Sequence, residues 1–327
     1  MIEKAAADGD LQDGDIYIFN DAHIGGTHLS DMRLVRPYFR DGRLFCYLAS
    51  VGHWHDVGGN VPGNYNPVAT ESFQEGFLMP PVKLFEAGRF RQDIVDILQA
   101  NSRLPNSLYG DLNGQINALD LGARRMTALL DDYCDGTVAD ALSELRVRAA
   151  RLMAANIADL PDGTYSAEDY LDNDGIKDEP LKIALDLTIK GDRMVLDFSR
   201  TSPACAGPVN IALSTAVASV YVAIKHVFTE VPANAGVLEP VETIIPGRWG
   251  LYIALVMSVL SLGLGWFLGP WGFGATVVAV LCAWAYSAEP VRLKKSGWWG
   301  PGLVGICYEG LPWFTGAAVL AMGAPEF

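Results

Sequence analysis

A chain of 327 residues is long enough for two ordinary domains, and a net charge of -14, from 38 acidic and 24 basic side chains, argues against a nucleic-acid or anionic-surface binder, which needs clustered lysine and arginine. The five cysteines (Cys46, Cys134, Cys205, Cys282, Cys307) lie far apart with no zinc-knuckle or redox spacing, so they read as reduced, buried thiols of a cytosolic protein. These averages conceal a break. Residues 1–244 carry 35 acids and 20 bases; residues 245–327 carry three acids and four bases, hold seven of the eight tryptophans, and follow the last aspartate, Asp197.

In chain order, the opening residues are too polar for a signal peptide. Residues 15–19 predict a short strand, followed by a loop rich in His, Gly and Asp. Residues 43–50 predict a second strand, entered by the turn Asp41-Gly42. A glycine-rich shaped loop covers 52–66. Helical spacing of Phe90, Ile94, Ile97 and Leu98 predicts a helix over 86–100. Stronger helices follow over 112–133 and from an N-cap at Thr137 to the stop at Pro161-Asp162-Gly163. The period then changes to two: Ile183, Leu185, Leu187 and Ile189, the turn Gly191-Asp192, then Met194, Leu196 and Phe198, predict a β-hairpin with one buried face. A further apolar helix is expected over 209–229, with His226 a core histidine. Long helices followed by antiparallel strands give an α+β domain.

From Trp249 to Ala288 no residue is charged, and Gly269-Pro270-Trp271-Gly272 interrupts the run. Spans over 251–268 and 274–288, with a third over 302–322 containing Glu309, predict two or three transmembrane α-helices; a buried helix pair in a soluble core is the alternative. Arg292, Lys294 and Lys295 follow the second span, which puts that loop and the N-terminal part in the cytoplasm, with the protein at the inner (cytoplasmic) membrane.

The chemistry-bearing residues cluster early. His23, His28, His53 and His55 interleave with Asp21, Asp31 and Asp56. The spacings His28…Asp31 and His53…Asp56 let each pair reach one point from a loop, and mixed imidazole and carboxylate donors suit Mn, Fe or Zn with open coordination positions. The same residues also fit a polar surface loop where histidines cluster by chance. No phosphate-binding loop, nucleophile elbow or dinucleotide fingerprint is present, so any ATP site is expected to lie off this chain, and no catalytic residue is assigned.

The segments Asn20-Asp21, Gly25-Gly26-Thr27-His28-Leu29-Ser30-Asp31 and His53-Trp54-His55-Asp56-Val57-Gly58-Gly59 resemble the double signature of the hydantoinase B/oxoprolinase family. Gln74-Glu75-Gly76, Pro80-Pro81-Val82-Lys83-Leu84, Asn101-Ser102-Arg103 and Gly207-Pro208-Val209-Asn210 continue the resemblance to about residue 242. It implies a B-type subunit of complexes that open hydantoins or 5-oxoproline, or carboxylate acetone and acetophenone, with ATP bound by a hydantoinase A-type partner. It implies a metal held by His28, Asp31 and His53, with Asp21, His55 and Asp56 as fourth ligand or outer shell. Relative to that family both ends of the segment are expected to be truncated, and the segment is expected to be inactive alone.

The sequences Pro246-Gly247-Arg248-Trp249-Gly250, Ala283-Trp284-Ala285-Tyr286-Ser287-Ala288-Glu289-Pro290 and Tyr308-Glu309-Gly310-Leu311-Pro312-Trp313 resemble the bacteriochlorophyll synthase branch of the UbiA prenyltransferases. That family binds a prenyl diphosphate through Mg²⁺ on aspartate-rich motifs, and no aspartate exists after Asp197. Two domains are therefore expected, 1–244 and 245–327. Three functional readings stand: a B-type subunit with a membrane tail, a prenyltransferase fragment, or a non-functional chimeric fusion.

Overall fold

The computed structural model describes residues 10–245, 249–267 and 269–287, with side chains in the apolar stretch from residue 255 onward. The chain divides into two units, Met1–Pro246 and Gly247–Phe327. Cys307 and the expected span over 302–322 lie outside the described residues.

The first unit begins with a sheet of strands β1 (Ile16–Phe19), β2 (Asp31–Arg40), β3 (Arg43–His53), β4 (Val82–Glu86) and β5 (Arg89–Phe90). Its order is β3-β2-β1-β4-β5, and every pairing is antiparallel. Strand β2 stands where a loop was expected. Its apolar positions Met32 and Leu34 alternate with Asp31 and Arg33, and all four are buried. Charges on a buried face conceal the two-residue period from a reading that assigns charge to solvent. The helix expected over 86–100 is shorter because Ala87 (φ 47°) and Gly88 (φ 81°) turn β4 into β5 first. The helix α1 then spans Gln92–Ala100.

Helix α2 (Pro105–Tyr133) starts earlier than expected, with proline in its first turn, where a missing N–H costs nothing. It crosses the sheet. Leu108, Leu112 and Leu119 join Ile16, Ile18, Met32, Leu34 and Trp54 in one core. Gln115 is buried in that apolar layer and fully used: it accepts from Trp54 Nε1 at 2.9 Å and donates to Met32 O at 3.0 Å and Ser50 O at 3.3 Å. Helix α3 (Asp135–Ala158) is capped by Cys134 at φ 59°, not by Thr137.

Strands β6 (Gly163–Leu171), β7 (Leu181–Lys190), β8 (Arg193–Asp197) and β9 (Val241–Ile244) form a second sheet in that order. The hairpin turns at Gly191-Asp192, with Lys190 opposite Arg193. Its apolar face is buried near the turn, at Ile189, Met194 and Leu196, whereas Ile183 is 40% exposed, so the expected single buried face holds over only part of the hairpin. Strand β6, a polar edge strand with no apolar alternation, carries no sequence signal of its own. Helix α4 (Leu213–Val227) makes the crossover to β9, which lies parallel to β8, as a connection of this length permits. Met153, Ile157, Val220 and Ile224 close a second core against this sheet.

In the second unit, α5 spans Trp249–Trp266 and α6 spans Gly269–Ser287, so Gly269-Pro270-Trp271-Gly272, expected to interrupt the run, forms the first turn of α6 instead, where a proline lacking its N–H is tolerated. They pack closely at Gly265, where a Cβ would lie 2.7 Å from Thr276 Oγ1, and Trp284 Nε1 donates to Ser258 Oγ at 2.9 Å. Among the described residues one segment, Gly269–Tyr286, is long and apolar enough to cross a membrane, and Leu255–Trp266 is a shorter apolar helix.

Candidate metal centre

Antiparallel pairing of β2 and β3 sets Asp31 directly opposite His53 at the open end of the ladder. At that end His53 Nδ1 lies 2.7 Å from Asp31 Oδ1. His28 arrives from the turn before β2, where Asp31 N donates to His28 O at 3.1 Å. Its Nδ1 lies 2.9 Å from Asp31 Oδ2, and its backbone N–H donates to the same oxygen at 2.9 Å. The Thr27 hydroxyl donates to that oxygen as well. The two rings stand edge to face, 5.7 Å apart and 86° to each other. One ligand atom from each of His28, Asp31 and His53 lies within 4.8 Å of the others.

Two buried groups hold this geometry from below. Trp54, next after His53, turns its side chain into the core while its backbone N–H donates to Ser30 O at 2.8 Å, which ties the end of β3 to the turn that carries His28. Asn20 is fully buried; it donates to Leu29 O at 2.8 Å and Phe77 O at 2.7 Å and accepts from Met79 N at 2.7 Å. These are loop clamps that sequence spacing could not assign, although both residues belong to the quoted motifs.

Electrostatically the cluster is asymmetric. Asp31 is buried while both histidines are exposed. Burial pushes the Asp31 carboxyl up, but hydrogen bonds from Thr27, His53 and the His28 backbone and ring outweigh it and hold the pKa at about 2, so the group is a carboxylate at neutral pH. Glu75 lies within electrostatic reach of His28; burial raises its pKa and the histidine opposes the rise.

The other sequence candidates sit elsewhere. Asp21 caps the short turn Ala22–Ile24 by accepting from His23 N at 2.9 Å. Asp56 is buried and saturated: it accepts from the backbone N–H of Gly58 at 3.1 Å, Gly63 at 3.2 Å and Arg103 at 3.0 Å, and pairs with Arg103 Nη1 at 2.9 Å. It shapes the glycine loop that follows His55. His55 Nδ1 lies 3.3 Å from Ser107 Oγ on α2. His226 Nδ1 bonds Val222 O within its own helix at 2.8 Å, but the side chain is exposed rather than in the core expected for it.

The comparisons with known proteins agree with a division of the chain. Residues 1–251 match the hydantoinase B/oxoprolinase family. Caprolactamase subunit beta of Pseudomonas jessenii is 34% identical over 223 residues, which cover 68% of this chain and 38% of that one. The crystal structure of the ATP-dependent caprolactamase from the same organism superimposes with a TM-score of 0.68 at 32% identity, over 75% of this chain and 42% of that one. The C-terminal part, about 83 residues, is instead similar to the bacteriochlorophyll synthase 33 kDa chain. In the Cereibacter sphaeroides protein the identity is 81% over 83 residues, 25% of this chain and 28% of that one. The chain thus spans less than half the length of the curated relatives it matches. By this match over residues 1–251 the chain belongs to the hydantoinase B/oxoprolinase family, and it carries after that region a segment of bacteriochlorophyll-synthase type.

Proposed function

We propose that residues 1–244 are a metal-dependent B-type subunit for ATP-driven opening of a cyclic amide, and that His28, Asp31 and His53 hold a divalent ion. The observation that carries this is the convergence of two imidazoles on one ionised carboxylate at the end of the β2–β3 ladder. Two nitrogen donors and one oxygen donor on one side of an ion, with exposed rings, leave further coordination positions to water or substrate, as Mn, Fe or Zn sites of this type require. A bound ion would polarise a carbonyl oxygen or acidify a coordinated water. Asp31 would set the orientation of both rings, and Asn20 and Trp54 would keep the two strand ends in register.

The chain shows no phosphate loop, so ATP enters through an A-type partner in this reading. Support comes from the relative whose name states an ATP-dependent reaction on a lactam and which is itself a subunit. The cyclic-amide class is preferred to ketone carboxylation because that relative is also the one matched in structure at 32% identity. Residues 245–327 act in this reading as a membrane segment, with α5, α6 and 302–322 as spans and the first unit on the cytoplasmic side. Prenyl transfer is disfavoured, since the aspartate-rich motifs that bind a diphosphate through Mg²⁺ have no counterpart in a segment without aspartate. The subunit alone is silent. Co-expression with an A-type partner, ATP and Mn²⁺ or Zn²⁺ should give lactam- or hydantoin-dependent ADP formation that disappears in His28→Ala. ADP formation without the partner, or full activity in that variant, would contradict the reading.

A further inference from the structure

On the face that β2 turns to α2, the side chains change character halfway along. Met32 and Leu34 join the core, whereas Arg36, Tyr38 and Arg40 follow at the same two-residue spacing. Helix α2 meets them in step. Arg36 Nη1 donates to Asp120 Oδ1 at 2.8 Å, the Tyr38 and Thr127 hydroxyls share a hydrogen bond of 2.7 Å, and Arg40 Nη2 donates to Asp131 Oδ1 at 2.6 Å. Ala123 lies between Asp120 and Thr127 on the helix, and its side chain ends at Cβ. A cleft of about 430 Å³ is left there, lined by Arg36, Arg40, Asp120 and Arg124 over the buried Tyr38 and Ala123. That volume suits a small molecule.

Two turns complete the lining. Antiparallel pairing of Tyr17 with Val35 sets the turn before β1 beside the end of β2, which brings Asp13 to the cleft. Asp41 comes from the β2–β3 turn, where it holds φ 48°. The lining thus carries three arginines and three aspartates. Asp120 is paired with Arg36, and Arg40 with Asp131 and, at 3.5 Å, Asp135. Arg40 Nε is nevertheless buried without a hydrogen-bond partner. Arg124, Asp13 and Asp41 have no ion pair among the described residues. All three are exposed, so a ligand enters without any movement of the chain.

The mixture of signs selects the ligand. A simple anion would meet Asp13 and Asp41. A simple cation would meet Arg124 and the Arg36 guanidinium, of which only Nη1 is engaged. Among the described residues, carboxylates and imidazoles gather at metal-binding distance only at His28, Asp31 and His53, so this cleft is not a second cation site. A molecule with an ammonium at one end and a carboxylate at the other satisfies both unpaired signs. We propose that the cleft binds a small amino acid as its zwitterion, with the carboxylate on Arg124 and Arg36 and the ammonium on Asp13 and Asp41. It lies at the end of β2 opposite to the His28–Asp31–His53 cluster. Opening a cyclic amide yields a molecule of this class, so the link to product rests on the functional reading above, whereas the binding itself does not.

The test uses the full chain in detergent micelles, treated with EDTA so that no metal at the histidine cluster captures a carboxylate. γ-Aminobutyrate, butyrate and butylamine are titrated calorimetrically. Wild type should bind γ-aminobutyrate about fivefold or more tightly than either singly charged molecule, and Arg124→Gln and Asp13→Asn should each weaken it by about three- to tenfold. His28→Ala should leave it unchanged. Butyrate or butylamine binding wild type as tightly as γ-aminobutyrate, or no binding of γ-aminobutyrate at millimolar concentration, would overturn the proposal. So would equal affinity in wild type, Arg124→Gln and Asp13→Asn, which would place the ligand elsewhere. The comparison of the three ligands needs no variant, so it decides even if a substitution unfolds the protein. ADP formation with the partner subunit judges the functional reading separately.

Discussion

At the scale of single residues, the two signature aspartates have opposite fates. Asp31 and Asp56 each follow a histidine by three positions, and spacing treats them alike. Folding separates them: Asp31 takes both imidazoles, whereas Asp56 gives its oxygens to Arg103 and to backbone N–H groups. What decides is which backbone donors surround each carboxylate, and that depends on loop closure that no spacing shows. Asp56→Ala should therefore act on stability. Loss of its hydrogen bonds is expected to lower the unfolding free energy by about 1–3 kcal/mol in urea titrations, with Mn²⁺ affinity nearly unchanged. Gly26→Ala places a methyl into the Arg33 guanidinium and should lower the melting temperature more than Gly42→Ala, where a Cβ meets nothing within 4 Å. Both glycines are compared because Gly42 (φ 75°) bears the strain of a left-handed turn without the clash.

At the scale of elements, the β7–β8 hairpin and the long helices were legible, because alternation and a 3.6-residue period survive wherever one face meets water. Strand β2 was not, since Asp31 and Arg33 are charged and buried at once, and the strand is the element that brings the site together. The grouping of His28 with Asp31 could be read from local spacing, but the arrival of His53 depends on the β2–β3 ladder. The second sheet offers a test of its electrostatics. Hydrogen bonds from Arg200, then Ser166, hold the Asp186 carboxyl at about 2 against an ordinary value of 3.8. A depressed carboxylate pKa stabilises the fold above the ordinary value, and that contribution is lost as pH falls through the folded value. Acid unfolding followed by circular dichroism should therefore show Asp186→Asn less sensitive than wild type between pH 4 and 2, and less stable at neutral pH. In the second core, Met153→Ala removes a fully buried side chain and should cost about 2–5 kcal/mol.

At the scale of the whole molecule, the break in composition near residue 245 coincides with the change in what the chain resembles. An acidic segment with the candidate site at a strand end is followed by an apolar segment whose 18-residue window, Gly269–Tyr286, has a mean hydropathy of 1.2. On the membrane reading the full chain should stay with the membrane fraction through a carbonate wash, and release by that wash would contradict insertion. The fold was readable here only in outline, because the residues that align the two strand ends, Asn20, Trp54 and Gln115, are polar or aromatic side chains inside a core, where no hydrophobic pattern marks them.

The central claim, that His28, Asp31 and His53 form one divalent-metal site, is tested most directly by Mn²⁺ binding to the full chain in micelles, followed by electron paramagnetic resonance. Binding is expected to be stoichiometric in wild type, lost in His28→Ala, Asp31→Asn and His53→Ala, and kept in Asp21→Asn and His55→Ala. Undiminished binding in the first three variants, or loss confined to the last two, would contradict the claim.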